Sequence, residues 1–187
     1  MLTNAQLLTL KADINADPVL SLIPLGSDGS QTIADAYNAL AAPTFQVWDP
    51  NASANAIFDA IDWSKYTPVD APDVTAIFTN RMLAVQTKQM NLQSMLFGRE
   101  IVDASRANIR AGIRDAVIGL PTGAAGATVS AGGAGGATVL TTMTRPATRA
   151  EKLFASAPVA TGPVSAAVMT VIGDLSHNDI TAARLAV

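Results

Sequence analysis

The chain has 187 residues, 35 of them Ala, with 49% hydrophobic, 14% charged and 5% aromatic residues, one His and no Cys. Disulfide frameworks, Cys-based zinc sites and thiol catalysis are excluded, and one imidazole cannot build a His-rich metal centre. The net charge of −3 and pI near 4.9 disfavour a general nucleic-acid binder, which shows a basic patch or a basic whole.

The start, Met-Leu-Thr-Asn-Ala-Gln, carries neither a basic n-region nor an apolar h-region, so no secretory signal is expected. No apolar run is long enough to span a bilayer. Much of the hydrophobic fraction is Ala, which favours helices but builds a thin core per residue. That balance suggests a protein completed by neighbours. The charges are also split along the chain: nine acids against two bases up to residue 80, then ten bases against six acids from Arg81 onward. The two halves can pack within one subunit, or the acidic face of one copy can meet the basic face of the next.

In chain order, Thr3-Asn4-Ala5-Gln6 is a capping box, and Leu7, Leu10 and Ile14 follow at helical spacing. Asp17-Pro18 ends this helix, because the residue before Pro is pushed out of the α region. Residues 22–29 are rich in turn formers. A second helix is predicted from Ser30 to Ala41, with Ile33, Tyr37 and Leu40 on one face and Pro43 closing it. Phe45, Val47 and Trp48 form a short apolar patch; Asp49-Pro50-Asn51 is a turn. Asn51 or Ser53 caps a third helix carrying Ile57, Phe58 and Ile61. Residues 63–72 hold two prolines and are expected as loop, with Asp70-Ala71-Pro72-Asp73 a helix entry.

The longest helical stretch, residues 73–120, is stopped by Pro121. Its length predicts two helices broken near Gly98. In the second part Met95, Val102, Ile109 and Ala116 recur every seven residues, flanked by Leu92, Ile113, Val117 and Leu120. Arg106, Arg110 and Arg114 are expected on the opposite side, and Arg99, Asp103 and Arg106 can pair locally. Residues 122–137 collapse to small residues, rich in Gly, Ala, Thr and Ser, as a flexible linker does. A short helix is predicted from Thr144-Arg145-Pro146 through Ala155, then a loop, then a β-leaning run from Val164 to Ile172. Ser176-His177-Asn178-Asp179 caps a last helix through Arg184. The fold expected is mainly α: a bundle of about four main helices with a long Gly/Ala-rich loop and a partly extended C-terminal segment. Residues 1–121 form the core, 122–143 the loop or insertion, and 144–187 a helix plus docking tail.

The chemistry in this pattern is sparse. There is no Gly-x-Ser-x-Gly elbow, and His177 sits beside a helix cap. The Gly-rich stretch lacks the Lys of a P-loop, and the element before it is a helix where a dinucleotide fingerprint needs a strand. The acid pairs Asp59/Asp62 and Asp70/Asp73 lie where capping explains them and have no calcium-loop spacing. No catalytic residue, cofactor or metal is expected. The arginine stripe Arg106, Arg110, Arg114 is either a solvated face balanced by Asp103 and Asp115, or an interface to an acidic neighbour or to nucleic acid in a lumen. It has no interleaved aromatics for base stacking.

The order of segments carries a resemblance. It runs from Leu2-Thr3-Asn4-Ala5-Gln6-Leu7 through Ile33-Ala34-Asp35-Ala36-Tyr37-Asn38 and the aromatic patch ending Val47-Trp48. It continues with Thr148-Arg149-Ala150-Glu151-Lys152-Leu153-Phe154-Ala155 and the tail Gly173-Asp174-Leu175-Ser176 … Asp179-Ile180 … Ala183-Arg184. This resembles structural proteins of tailed-phage and prophage virion modules, in the style of head–tail connector (adaptor) proteins. The resemblance implies a non-enzymatic subunit made in the host cytoplasm and placed at the virion neck. It implies a homo-oligomeric ring, commonly twelve-fold, that docks on the portal protein, meets tail or neck proteins and lines the exit channel. DNA passes there without sequence-specific binding, and no membrane is involved. The Gly/Ala stretch is not part of the family core. Arg106, Arg110 and Arg114 are the expected contacts to a neighbour or the channel, and Leu185, Ala186 and Val187 the docking tail. The alternatives are another virion part (tail completion, tail tube or capsid decoration) or a small helical ligand-binding domain.

Overall fold

The computed structural model describes residues 2–66, 76–122, 128–129, 133–171 and 173–187. It is mainly α, with eight α-helices among the described residues and only small two-stranded sheets. The chain divides into two compact units. The first comprises Met1–Val47, Pro146–Ala157 and Ala167–Val187; the second comprises Trp48–Arg145 and Pro158–Ala166. The strands β1 (Gln46–Trp48) and β6 (Thr144–Pro146) lie where the sequence passes from one unit to the other.

In the first unit, α1 (Asn4–Ala16) opens on the predicted capping box: Thr3 accepts the N–H of Gln6, and the Gln6 side chain accepts the N–H of Thr3. A 3-10 turn at Leu20–Leu22 leads to α2 (Ser27–Asn38), which starts three residues earlier than the sequence suggests. Two shorter helices complete the unit: α7 (Arg149–Phe154), capped by Thr148 and Glu151, and α8 (His177–Leu185), capped by Ser176 and Asp179. The predicted opening at Thr144–Pro146 is strand, because the capping pair lies further on, at Thr148. Helix α8 packs on α1 and α2. Leu10, Ile14, Ile33, Tyr37, Ala150, Phe154, Ile180 and Ala183 close over one another there. Each fully buried Leu or Ile contributes about 1.5–3 kcal/mol. Polar fasteners fix the distant C-terminal segment. Asn38 Nδ2 donates to the Leu175 carbonyl (2.9 Å) and Asn38 Oδ1 accepts the Leu175 N–H (2.8 Å). Lys11 Nζ donates to the Ala186 carbonyl at 2.7 Å.

The second unit starts with β2 (Ala52–Ser53), antiparallel to β3 (Ile101–Val102). Ser53 then caps α3 (Ala54–Asp59) by accepting the N–H of Ala56. The expected break in the long helical stretch is present and wide: α4 (Ala76–Leu96) and α5 (Ala107–Val117) are separated by a turn and β3. Helices α4 and α5 pack together, burying Leu92, Leu96, Ile113, Ala116 and Val117. Beyond them β4 (Pro121–Thr122) pairs with β5 (Thr128–Val129), and α6 (Gly136–Thr141) occupies the end of the segment expected as loop. Gly133 has φ +54°, and a Cβ there would stand 1.8 Å from the Val117 carbonyl oxygen. Only glycine lets the chain pass so close to the end of α5, where the Ala134 N–H donates to Val117 at 2.7 Å. The hairpin β7 (Val159–Thr161) to β8 (Val164–Ala166) turns at Gly162-Pro163, within residues expected partly as loop. The four longest helices, α1, α2, α4 and α5, divide two and two between the units.

Candidate functional site

The arginine stripe does not form one continuous surface. Helix α5 begins at Ala107, so Arg106 is its N-cap residue; exposed, it donates from Nε to Asp103 Oδ2 at 2.9 Å. Asp103 also accepts from the hydroxyl and N–H of Ser105. Those bonds, the Ser105 hydroxyl first, hold its carboxyl below the ordinary range. Arg114 pairs with its neighbour Asp115 at 2.7 Å.

Arg110 turns inward and is only 3% exposed. It shares the inward side of α5 with Ile113 and Val117, at i, i+3 and i+7, so the buried seam contains a guanidinium where the heptad reading put Ile109. Its carbon Cζ lies 4.9 Å from the centre of the Trp48 ring. Its Nη1 donates to the Ala104 and Ser105 carbonyls at 2.8 and 2.7 Å. Burial without a carboxylate among the described residues lowers its pKa. Arg110 Nε and Trp48 Nε1 find no acceptor there. The placement corrects the sequence expectation for this residue: Arg110 fastens a core and cannot be a solvated surface contact of the folded unit.

In the first unit an ion network joins three helices. Arg149, from α7, donates to Asp17 Oδ2 and Asp13 Oδ2, each at 2.9 Å. Tyr37 of α2 donates to Asp13 Oδ2 at 2.5 Å, and Arg149 lies over the Tyr37 ring. Asp17 further accepts the N–H groups of Leu20 and Val19, which lower its pKa before Arg149 adds to the effect. Every carboxylate here is engaged in holding the helices and the following turn, so the network positions structure. Sequence reasoning did not find it. Asp13 and Asp17 share a face of α1 at i, i+4, but their partner Arg149 is 132 residues beyond Asp17.

The remaining polar candidates are scattered. His177, the first residue of α8, is exposed, and among the described residues no hydrogen bond links its ring to a hydroxyl or carboxylate. Asp62 accepts from the hydroxyl and N–H of Ser64, and Asp59 is exposed at the end of α3. Asp70 and Asp73 lie outside the described residues. Among the described residues no group of three or more acid or His side chains could hold a metal ion, and no helix is long and apolar enough to cross a membrane. In the tail, Leu185 and Val187 are exposed, and Ala186 is half-buried with its carbonyl held by Lys11.

The unit surfaces are more distinctive. In the second unit a groove of about 760 Å³ opens between α3 and the end of α4, lined by Ala54, Asn55, Phe58, Gln93, Ser94, Leu96, Phe97, Gly98 and Arg99. Gly98, with φ +73°, turns the chain out of α4 and leaves Phe97 89% exposed. Phe58 packs against Trp63, ring centres 4.5 Å apart and planes tilted by 42°, which fixes one wall. In the first unit the turn between α1 and α2 exposes Val19, Leu22 and Leu25, while Leu20 beside them is buried.

No family model matches this chain, and no curated protein or solved structure is significantly similar to it.

Proposed function

We propose that this chain is a structural protein of a tailed-phage virion, a head–tail connector that works by contact and performs no reaction. Copies form a ring that docks on the portal, carries tail or neck proteins and lines the path of the DNA. The four longest helices supply the frame, and the C-terminal segment docks.

The observation that carries the reading is the exposure of large apolar side chains on both units, at positions fixed by hydrogen bonds and glycine turns. Val19, Leu22 and Leu25 stand on one unit, Phe58 and Phe97 on the other. Phe58 and Phe97 line one groove, and Val19, Leu22 and Leu25 fall within one turn of chain; exposed apolar side chains gathered in this way mark a contact site. A composition rich in Ala and poor in charge supports the same reading, since small residues let neighbouring copies approach closely. The net negative charge suits a channel wall along which DNA slides without sticking.

The experiment is native mass spectrometry and electron microscopy of the purified full chain, alone and mixed with its portal. A closed symmetric assembly that binds the portal is expected. A monomer that never joins a portal overturns the proposal.

A further inference from the structure

We infer that the ridge of Val19, Leu22 and Leu25 on one copy seats in the Phe58–Leu96–Phe97 groove of a second copy, with Asp28 of the ridge meeting Arg99 of the groove. The inference deepens the ring reading and rests on it only for the existence of contact between copies.

The ridge is built to hold its shape. Asp17 caps the Val19 and Leu20 N–H groups at 2.9 and 3.0 Å. Arg184, from α8, donates to the Ile23 and Pro24 carbonyls at 2.8 and 3.2 Å. Gly29, in the first turn of α2, lies so close to Pro24 that a Cβ would stand 2.2 Å from its carbonyl oxygen. A loop that only needed to connect two helices has no use for three exposed apolar side chains on so fixed a backbone. Leu22 and Leu25 are 81% and 67% exposed. A preformed ridge loses little conformational freedom on binding.

Charge selects the partner. No Lys or Arg occurs between Lys11 and Lys65, so the segment that forms the ridge and α2 brings acids alone, Asp28 among them, and the one cation placed on the ridge, Arg184, comes from α8 and is engaged with the Ile23 and Pro24 carbonyls. Among the described residues, the Asp28 carboxylate accepts from the neighbouring Ser27 hydroxyl alone. Arg99 is the one charged residue lining the groove, and its guanidinium has no partner among the described residues. The first unit carries seven acids and four bases, the second eight of each. Ridge against groove places an acid against a free cation. Groove against groove brings two Arg99 side chains together, and ridge against ridge leaves every Arg99 without an acid. The contact is therefore heterologous, head to tail, and such a contact propagates from copy to copy until a ring closes or a filament grows.

Two variants test it in the full chain by native mass spectrometry: Phe97→Ser kills the groove and Leu22→Asp kills the ridge. Both sites are exposed, so circular dichroism should report wild-type folding. Each variant alone should be monomeric at concentrations where wild type assembles. An equal mixture should give heterodimers and nothing longer, because each pair keeps one live ridge and one live groove. Arg99→Asp should weaken assembly by about tenfold, and adding Asp28→Arg should restore it. A wild type that stays monomeric overturns the inference, as does wild-type assembly by either variant or a mixture without heterodimers. Should wild type and both variants all form rings that bind the portal, this contact fails while the connector reading stands. Should the contact behave as described but the assembly never bind a portal, the connector reading fails alone.

Discussion

Raising the pH should unfold this protein through its tyrosines. The chain has two, Tyr37 in the first unit and Tyr66 in the second. Tyr66 is 4% exposed and donates its hydroxyl hydrogen to the Ala116 carbonyl at 2.8 Å; burial pushes its pKa up to about 12. Tyr37 is fully buried, and burial first, then its bond to Asp13 and that carboxylate's charge, push it up further. A folded-state pKa above the unfolded value of about 10 means stabilisation that is complete below pH 10 and lost as pH rises through the folded value. At about 1.4 kcal/mol per pKa step, Tyr66 alone withdraws about 3 kcal/mol between pH 10 and 12. That is a large share of an ordinary domain's 5–15 kcal/mol. Absorbance at 295 nm, which reads phenolate, should stay flat through pH 10 and then rise together with the loss of far-ultraviolet circular dichroism. Tyr66→Phe should leave one such transition, reporting Tyr37. A tyrosine that ionises reversibly near pH 10 while the dichroism remains native would refute the reasoning.

Three further outcomes follow from the same contacts. Arg110→Glu sets a carboxylate against the Ala104 and Ser105 carbonyls in a dry site, and should lose more than about 4 kcal/mol and the near-ultraviolet signal of Trp48. Arg110→Met should lose only about 2–3 kcal/mol in urea titration; equal effects from the two variants would contradict the burial. Asp17 and Asp103 have lowered folded pKa values, so their stabilisation is full above about pH 4 and fades as pH falls through those values. Asp17→Asn should flatten the acid limb of a stability–pH curve, and an unchanged limb would count against the Asp17 contacts. Gly133→Ala should destabilise by more than about 2 kcal/mol in thermal melts, since both its φ and the Val117 carbonyl exclude a Cβ.

Most elements governed by neighbours in sequence were legible, although the Thr148–Glu151 box that opens α7 was read as an opening at Thr144–Pro146. Thr3 with Gln6 forms the capping box read from spacing alone; the capped start read at Ser176–Asp179 is a second box, and of the two caps read for α3, Asn51 and Ser53, it is Ser53. These are contacts within one helical turn. The mainly helical class followed from Ala content and periodicity. Arg110 was misplaced because periodicity assigns a side by residue type, and a cation is scored as outward. Its stem packs like a hydrophobe while its head finds two carbonyls and an indole face. Arg149 with Asp13 and Asp17 was illegible for a different reason: the pairing spans more than a hundred residues and leaves no local trace. Phe97 carried a weak signal, an aromatic residue directly before a glycine at a helix end, where the chain turns and the side chain is left outside.

The division of the chain has a consequence for its birth on the ribosome. The first 47 residues emerge early, yet the unit they belong to takes Ile180 and Ala183 into its core. Asn38 waits for Leu175, 137 residues later. At about 5–20 residues per second, that is roughly 7–30 s of synthesis. Throughout that interval α1 and α2 lack the helix that covers them, and before it ends Trp48–Arg145, a nearly complete unit, is out. The N-terminal helices are thus the last to be sealed. A ribosome stalled short of α8 would release a chain whose second unit is nearly complete while Leu10, Ile14 and Ile33 of the first stand bare to chaperones and proteases.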